Sequence, residues 1–205
     1  SVGSQKKAIP QIELHPLISL YNNRNFQHAL KKVSDLVQKY PNSEVLYNIS
    51  GAVNHSLGKF DKAIESFKQA INLKPDYAKA YFNMASTLKE QGKLYDAVEA
   101  YQKTLSIKTD YFEAYFNMGN ILKELGELED AVQAYKNTLS INPNYAEASY
   151  NMGITFREMG QLEESVEAYK KTLSIRPDFS KAYNNMGNAL LELGKLDDAL
   201  EAYKK

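Results

Sequence analysis

Between residues 78 and 111 the chain carries two apolar stripes at helical spacing. Tyr81, Met84, Ala85 and Leu88 fall at i, i+3, i+4 and i+7, one face of an α-helix. Gly92 follows, a residue suited to the left-handed conformation that ends a helix. Leu94, Ala97, Val98, Tyr101 and Leu105 then make a second stripe, and in most corresponding windows a proline closes the second helix. The pattern predicts two amphipathic helices joined by a tight turn.

The unit recurs. Tyr81-Phe82-Asn83-Met84-Ala85 returns as Tyr115-Phe116-Asn117-Met118-Gly119, then as Ser149-Tyr150-Asn151-Met152-Gly153 and Tyr183-Asn184-Asn185-Met186-Gly187, each time after 34 residues. Of the 10 glycines only Gly3 stands outside this register. Pro41, Pro75, Pro143 and Pro177 keep the same step, with Thr109 where a further proline would fall. A helical hairpin of this size cannot bury enough apolar surface alone, so neighbours must stack and share one continuous core. The predicted fold class is therefore all-α, an α-solenoid of antiparallel helix pairs. Small residues at Ala97, Ala131, Ser165 and Ala199, and alanine or glycine in the first helices, let backbones approach closely. Tyr101, Tyr135, Tyr169 and Tyr203 fill the space opposite.

Composition narrows the function. With 43% hydrophobic and 24% charged residues the chain can fold, and it is neither disordered nor membrane-spanning in character. Lysine plus arginine equals aspartate plus glutamate, 25 against 25, without the basic excess that nucleic-acid binders use to displace counterions. No apolar run approaches the roughly 18 residues of a membrane span. The lack of cysteine removes disulfides, thiolate metal sites and cysteine nucleophiles. His15, His28 and His55 show no ligand spacing, and His55 is expected on an exposed helix face. The glycines follow the period and are not clustered as a phosphate cradle requires. Glu163-Glu164 and Asp197-Asp198 open second helices, where negative charge suits the helix dipole. No catalytic residue, metal site or cofactor is predicted, and the stretch is expected not to be an enzyme. The start, Ser1-Val2-Gly3-Ser4, carries neither an initiator methionine nor a hydrophobic signal core, and is read as an internal fragment or a tag scar. Cytoplasm is the default expectation.

These residues resemble the tetratricopeptide repeat (TPR) family. Its pattern of an aromatic, a small residue after Asn-Leu, a turn glycine, a small residue, an aromatic and a closing proline is met by Tyr115, Asn117-Met118-Gly119, Gly126, Ala131, Tyr135 and Pro143. The resemblance implies a right-handed superhelix with repeats at 44–77, 78–111, 112–145 and 146–179 and a truncated one at 180–205. Residues 10–43 fit the frame through Ala29, Val33 and Pro41, but Pro16 falls where a first helix should continue and Arg24 replaces the turn glycine. That segment is expected to be a degenerate capping repeat, and 1–9 to be disordered or tag-derived. The sequence stops within the second helix of the last window, leaving Leu191, Leu200 and Tyr203 facing nothing. Either the natural protein continues or another copy covers that end, which makes a homo-oligomer possible.

In the family the first helices line the concave surface where ligands bind. At the corresponding places stand Asn83, Asn117, Asn151 and Asn185, with Asn120 and Asn188 on the same face. Beside them lie Phe82, Phe116 and Tyr150, a row that Asn184 breaks. Further on come Lys89, Lys123 and Arg157, then Leu191, next to Glu90, Glu124, Glu158 and Glu192. A carboxamide both donates and accepts, which suits the alternating N–H and C=O groups of an extended peptide. The same asparagines could instead brace their own repeats, and the rings could wedge neighbouring repeats apart. The glutamates are placed to neutralise the cationic row. Some TPR modules grip a C-terminal carboxylate with two asparagines and three bases. Asn120, Asn151 and Lys181 match three of those places, but Phe116 and Asn185 stand at the other two, which removes most of the charge-assisted bonding. Ile121-Leu122-Lys123-Glu124-Leu125-Gly126 and Phe156-Arg157-Glu158-Met159-Gly160 are similar to the repeats of O-linked N-acetylglucosamine transferases, whose inner asparagines hold substrate polypeptide. The expected role is a non-catalytic scaffold that binds an extended segment of a protein partner, with neither nucleic acid nor membrane involved. A recruiting arm of a larger transferase and a self-assembling module are the alternatives.

Overall fold

Each apolar stripe winds into a helix, and each helix stops where the turn chemistry says it should. The computed structural model describes residues 9–205, in which twelve α-helices and no strand occur. The expected tag-derived segment lies, apart from Ile9, outside the described residues. Two compact units divide the chain, one running to Thr109 and one from Asp110 to Lys205.

The first unit holds α1 (Gln11–Asn22), α2 (Phe26–Lys39), α3 (Glu44–Ser56), α4 (Phe60–Leu73), α5 (Ala78–Glu90) and α6 (Leu94–Ile107). Helix pairs stack in order: α2 packs on α3, α4 on α5, and α3 also touches α5 directly. The second unit holds α7 (Phe112–Glu124), α8 (Leu128–Ile141), α9 (Ala146–Glu158), α10 (Leu162–Ile175), α11 (Ser180–Glu192) and the shorter α12 (Leu196–Tyr203). Here α8 packs on α9 and α10 on α11, while α7 meets α9 and α9 meets α11. Within each unit the first helices of successive pairs therefore make an inner layer, flanked by the second helices.

The end of α5 shows how the turn is made. Gly92 takes φ 74°, its N–H bonds the carbonyl of Lys89 at 2.9 Å, and the N–H of Lys93 bonds that of Leu88 at 2.9 Å, the double closure of a Schellman motif. Arg24 makes the same turn at φ 56° without being glycine, and the N–H of Asn25 still reaches the carbonyl of Leu20 at 2.9 Å. Pro16 does not interrupt the first helix as its position suggested: α1 runs through it and forgoes one backbone bond. Residues 10–43 thus form a full helix pair.

Size complementarity builds the core. Tyr101, Tyr135 and Tyr169 are fully buried, each ring contributing about 1.5–3 kcal/mol through the area removed from water. Glycine makes room for two of them: a Cβ on Gly119 would sit 2.8 Å from the ring of Tyr135, and one on Gly153 2.7 Å from that of Tyr169. A buried row at Thr104, Thr138 and Thr172 lies beside the tyrosines, each hydroxyl donating to the carbonyl four residues back, at 3.0 Å. At the last pair the packing is left open. Leu200 is 56% exposed, whereas Val166, one period earlier, is 5% exposed. Leu191, Leu196 and Tyr203 are exposed with it.

Candidate functional site

The asparagine row lies on the inner layer, and within each unit it ties repeats to those before them. Asn83 donates from Nδ2 to Oδ1 of Asn48 at 2.9 Å, joining α5 to α3. Asn151 donates to Oδ1 of Asn120 at 2.7 Å, joining α9 to α7, and Asn185 donates to the hydroxyl of Tyr150 at 3.0 Å, joining α11 to α9. Asn117 holds the same register on α7. All four are half-buried. Asn120 is a junction, because its Oδ1 also accepts from the hydroxyl of Tyr135 at 2.8 Å. Asn188 does the same for Tyr203 at 2.7 Å, and Ser86 shares a 2.9 Å bond with Tyr101.

The rings pack inside the solenoid as well as toward its surface. Phe82 meets Tyr101 edge-on at 5.6 Å. Phe116 lies 6.1 Å from Tyr135 and 4.9 Å from Tyr145, the residue just before α9. Tyr150 repeats that arrangement with Tyr169 at 5.9 Å and Phe179 at 4.7 Å. Half-buried in this way, each ring wedges against its neighbours and remains partly exposed.

The cationic row is answered across repeats. Lys123 reaches Glu158 at 3.8 Å, and Nε of Arg157 reaches Glu192 at 2.9 Å. Lys89 holds the same register on α5. His55, expected on an exposed face, belongs to this row and is half-buried. Its Nδ1 lies 2.9 Å from the hydroxyl of Thr87 and its Nε2 3.3 Å from Glu90, with 27% of the side chain exposed. Counting 34 residues back from Lys89 would have found it. Partly exposed pairs of this kind contribute at most about 1 kcal/mol each. In the carboxylate-clamp frame, Asn120 and Asn151 bond one another and Lys181 is exposed.

Burial sets the acidity of the core phenols. It pushes Tyr169 up to about 12 and raises Tyr135 further, so both stay protonated donors at neutral pH. Tyr150 is raised by the same cause, with the bond from Asn185 pulling weakly the other way.

Two hollows are relevant. One of about 360 Å³ is lined by Ile154, Arg157, Glu158, Tyr169, Asn185 and Glu192. A larger one of about 700 Å³ lies between α4 and α6 over α5, where carboxylates of Asp61, Glu65, Asp96 and Glu99 alternate with Lys68 and Lys103. Among the described residues no group of three or more His, Asp or Glu side chains could hold a metal ion, and no helix is long and apolar enough to cross a membrane.

A family model described as TPR repeat matches residues 51–92, 85–126, 119–160 and 153–194. Among solved structures, the MamA protein is 30% identical over 78% of this chain and 88% of its own, with a TM-score of 0.75. YrrB, described as a TPR protein with an unusual peptide-binding site, is 18% identical over 83% of this chain and 88% of its own, with a TM-score of 0.73. The C-terminal part of a TPR repeat-containing protein from Cytophaga hutchinsonii is 18% identical over 93% of this chain and 76% of its own, with a TM-score of 0.83. No curated protein sequence matches. Period, helix pairing, turn closure and family model agree: the chain belongs to the TPR repeat family.

Proposed function

We propose that the chain is a non-catalytic scaffold that binds an extended peptide along the inner face of its first helices. The observation that carries this is the row of half-buried carboxamides fixed by bonds to the preceding repeat. Bracing and binding use different atoms. Each bond takes one N–H of Asn83, Asn151 or Asn185, and each carboxamide keeps its carbonyl for a guest. A donor already held in place has less conformational freedom to lose when a peptide binds. The rings of Phe82, Phe116 and Tyr150 supply apolar edges beside the row. The ion pairs of Lys123 and Arg157 neutralise the face and disfavour a strongly charged guest. YrrB, sharing the fold, is described as having a peptide-binding site, which agrees with this role. The same groove would serve as the substrate-holding arm of a transferase in the manner of the O-linked N-acetylglucosamine enzymes, and the reading frame surrounding this stretch decides between the two settings.

The test is selection from a random dodecapeptide display library, followed by affinity measurements on Asn117→Ala and Asn151→Ala. A loss of about 1 kcal/mol per substitution is expected, with helicity unchanged. Unaltered affinity in both variants rejects the row as a contact surface. A second reading, self-association through α12, rests on the exposure of Leu196, Leu200 and Tyr203. Sedimentation equilibrium tests it: a molecular weight independent of concentration rejects it, and Leu200→Lys should dissolve any association.

A further inference from the structure

In the five pairs from α3/α4 onward the second helix places an aromatic ring opposite one residue of the first helix, and the two positions match in chemistry. Tyr101 has Ser86, Tyr135 has Asn120 and Tyr203 has Asn188, each hydroxyl bonded at 2.7 to 2.9 Å. Where that residue is Ala52, the ring is Phe67, which has no hydroxyl to satisfy. The pair of Tyr169 and Ile154 departs from the rule. Isoleucine offers no acceptor, and the Tyr169 hydroxyl, on a side chain 0% exposed, makes no hydrogen bond of ordinary geometry, although the Ser165 hydroxyl and the Asn185 carboxamide lie near enough to pull its pKa slightly down. An unsatisfied buried donor is costly, and here it belongs to a residue that lines the 360 Å³ hollow.

We infer that this hollow is a subsite for an amide carbonyl of the bound peptide, from its backbone or from an asparagine or glutamine side chain, which accepts the hydrogen of Tyr169 while Ile154 packs against the adjoining carbon atoms. The inference rests on the groove proposed above and names one position within it. A neutral acceptor is specified because the rim is already balanced. Arg157 is paired with Glu192, and Glu158 with Lys123, so a carboxylate would meet two carboxylates whose partners are taken. The phenol stays protonated well above neutral pH and can act only by donating when it meets a carbonyl. Arg157 and Glu192, long and partly exposed, line the hollow with Tyr169, and a guest reaches the hydroxyl only where such side chains change rotamer.

Two measurements test this. In the free protein, Tyr169→Phe should leave the melting temperature unchanged or raise it, and Ile154→Asn should raise it by supplying the acceptor the other repeats have. Tyr135→Phe should lower it by about 2–4 °C, the loss of one hydrogen bond in a chain of this size. A fall for Tyr169→Phe as large as for Tyr135→Phe shows the hydroxyl bonded inside the protein and overturns the subsite. Should Ile154→Asn fail to fold, Ile154→Ser serves, since serine fills that place at position 86. The second measurement titrates N-methylacetamide, a peptide-bond mimic, against protein carrying ¹³C-labelled tyrosine. A saturable shift of the Tyr169 ring is expected, at least threefold weaker with acetate and absent in Ile154→Asn. Shifts of equal size in the wild type and Ile154→Asn overturn the inference. Peptides selected from the library whose binding ignores Tyr169→Phe also overturn it, yet leave the groove standing. An empty selection beside a saturable probe shift sinks the groove instead.

Discussion

Asn120 and Ile154 stand one period apart and do opposite things to the tyrosine across from them. Asn120 accepts from both Tyr135 and Asn151, so one side chain fixes a ring within its repeat and a carboxamide of the next. Replacing it with alanine strips two donors of their acceptor. A cost of about 2 kcal/mol is expected, since each half-buried donor left unpaired loses on the order of 1 kcal/mol. Urea denaturation of Asn120→Ala measures it, and a change below 0.5 kcal/mol would show water replacing the acceptor at both donors. Arg157→Ala, which removes a partly exposed ion pair with Glu192, should cost no more than about 1 kcal/mol in the same assay.

At the scale of the helix, close approach decides which substitutions are tolerated. From α3 onward the first helix of each pair crosses the second at glycine or alanine, and at Gly119 a Cβ would lie 2.8 Å from the Tyr135 ring and 3.2 Å from Cβ of Ala134. Ala85 occupies the equivalent place opposite Tyr101, so a single methyl can be accommodated by a small shift of the ring. A branched side chain cannot. Gly119→Val should destabilise by about 1–3 kcal/mol through overpacking, read as a lower urea midpoint with an unchanged slope. This part of the fold was legible in the sequence, because glycine, alanine and tyrosine recur at fixed offsets and the turn glycines mark each helix end. The buried threonines were not: Thr104, Thr138 and Thr172 read as polar, and only the carbonyl four residues back makes them core residues. Arg24 hid a turn that needs a positive φ, and Pro16 suggested a break that one missing bond does not impose. The candidate row was legible as a set of positions. Its partners were not, because they come from the neighbouring repeat, 31 to 35 residues away, where no local pattern records them.

Across the whole molecule the titration of the tyrosines gives stability a direction with pH. Burial raises Tyr135 and Tyr169, both sealed from solvent, and more weakly the half-buried Tyr145 and Tyr150 in the same unit. A raised phenol holds its proton longer in the folded chain than in the unfolded one. Between about pH 10, where the unfolded tyrosine ionises, and about 12, where Tyr169 does, the native state binds more protons and loses stability as pH rises. Each fully buried phenol adds a slope of about 1.4 kcal/mol per pH unit in that window, and below pH 10 the contribution is complete and constant. On the acid side the Glu13 carboxyl is lowered by its bonds to Lys39 and Tyr40 at the protein surface, where solvent screens the effect. Melting temperature should therefore be flat from pH 6 to 9 and fall steeply above 10. Tyr169→Phe should remove part of the alkaline slope without moving the plateau downward. An alkaline limb equally steep in that variant and in Tyr135→Phe would mean that the phenols ionise only after the chain has opened, and that burial does not set the limit.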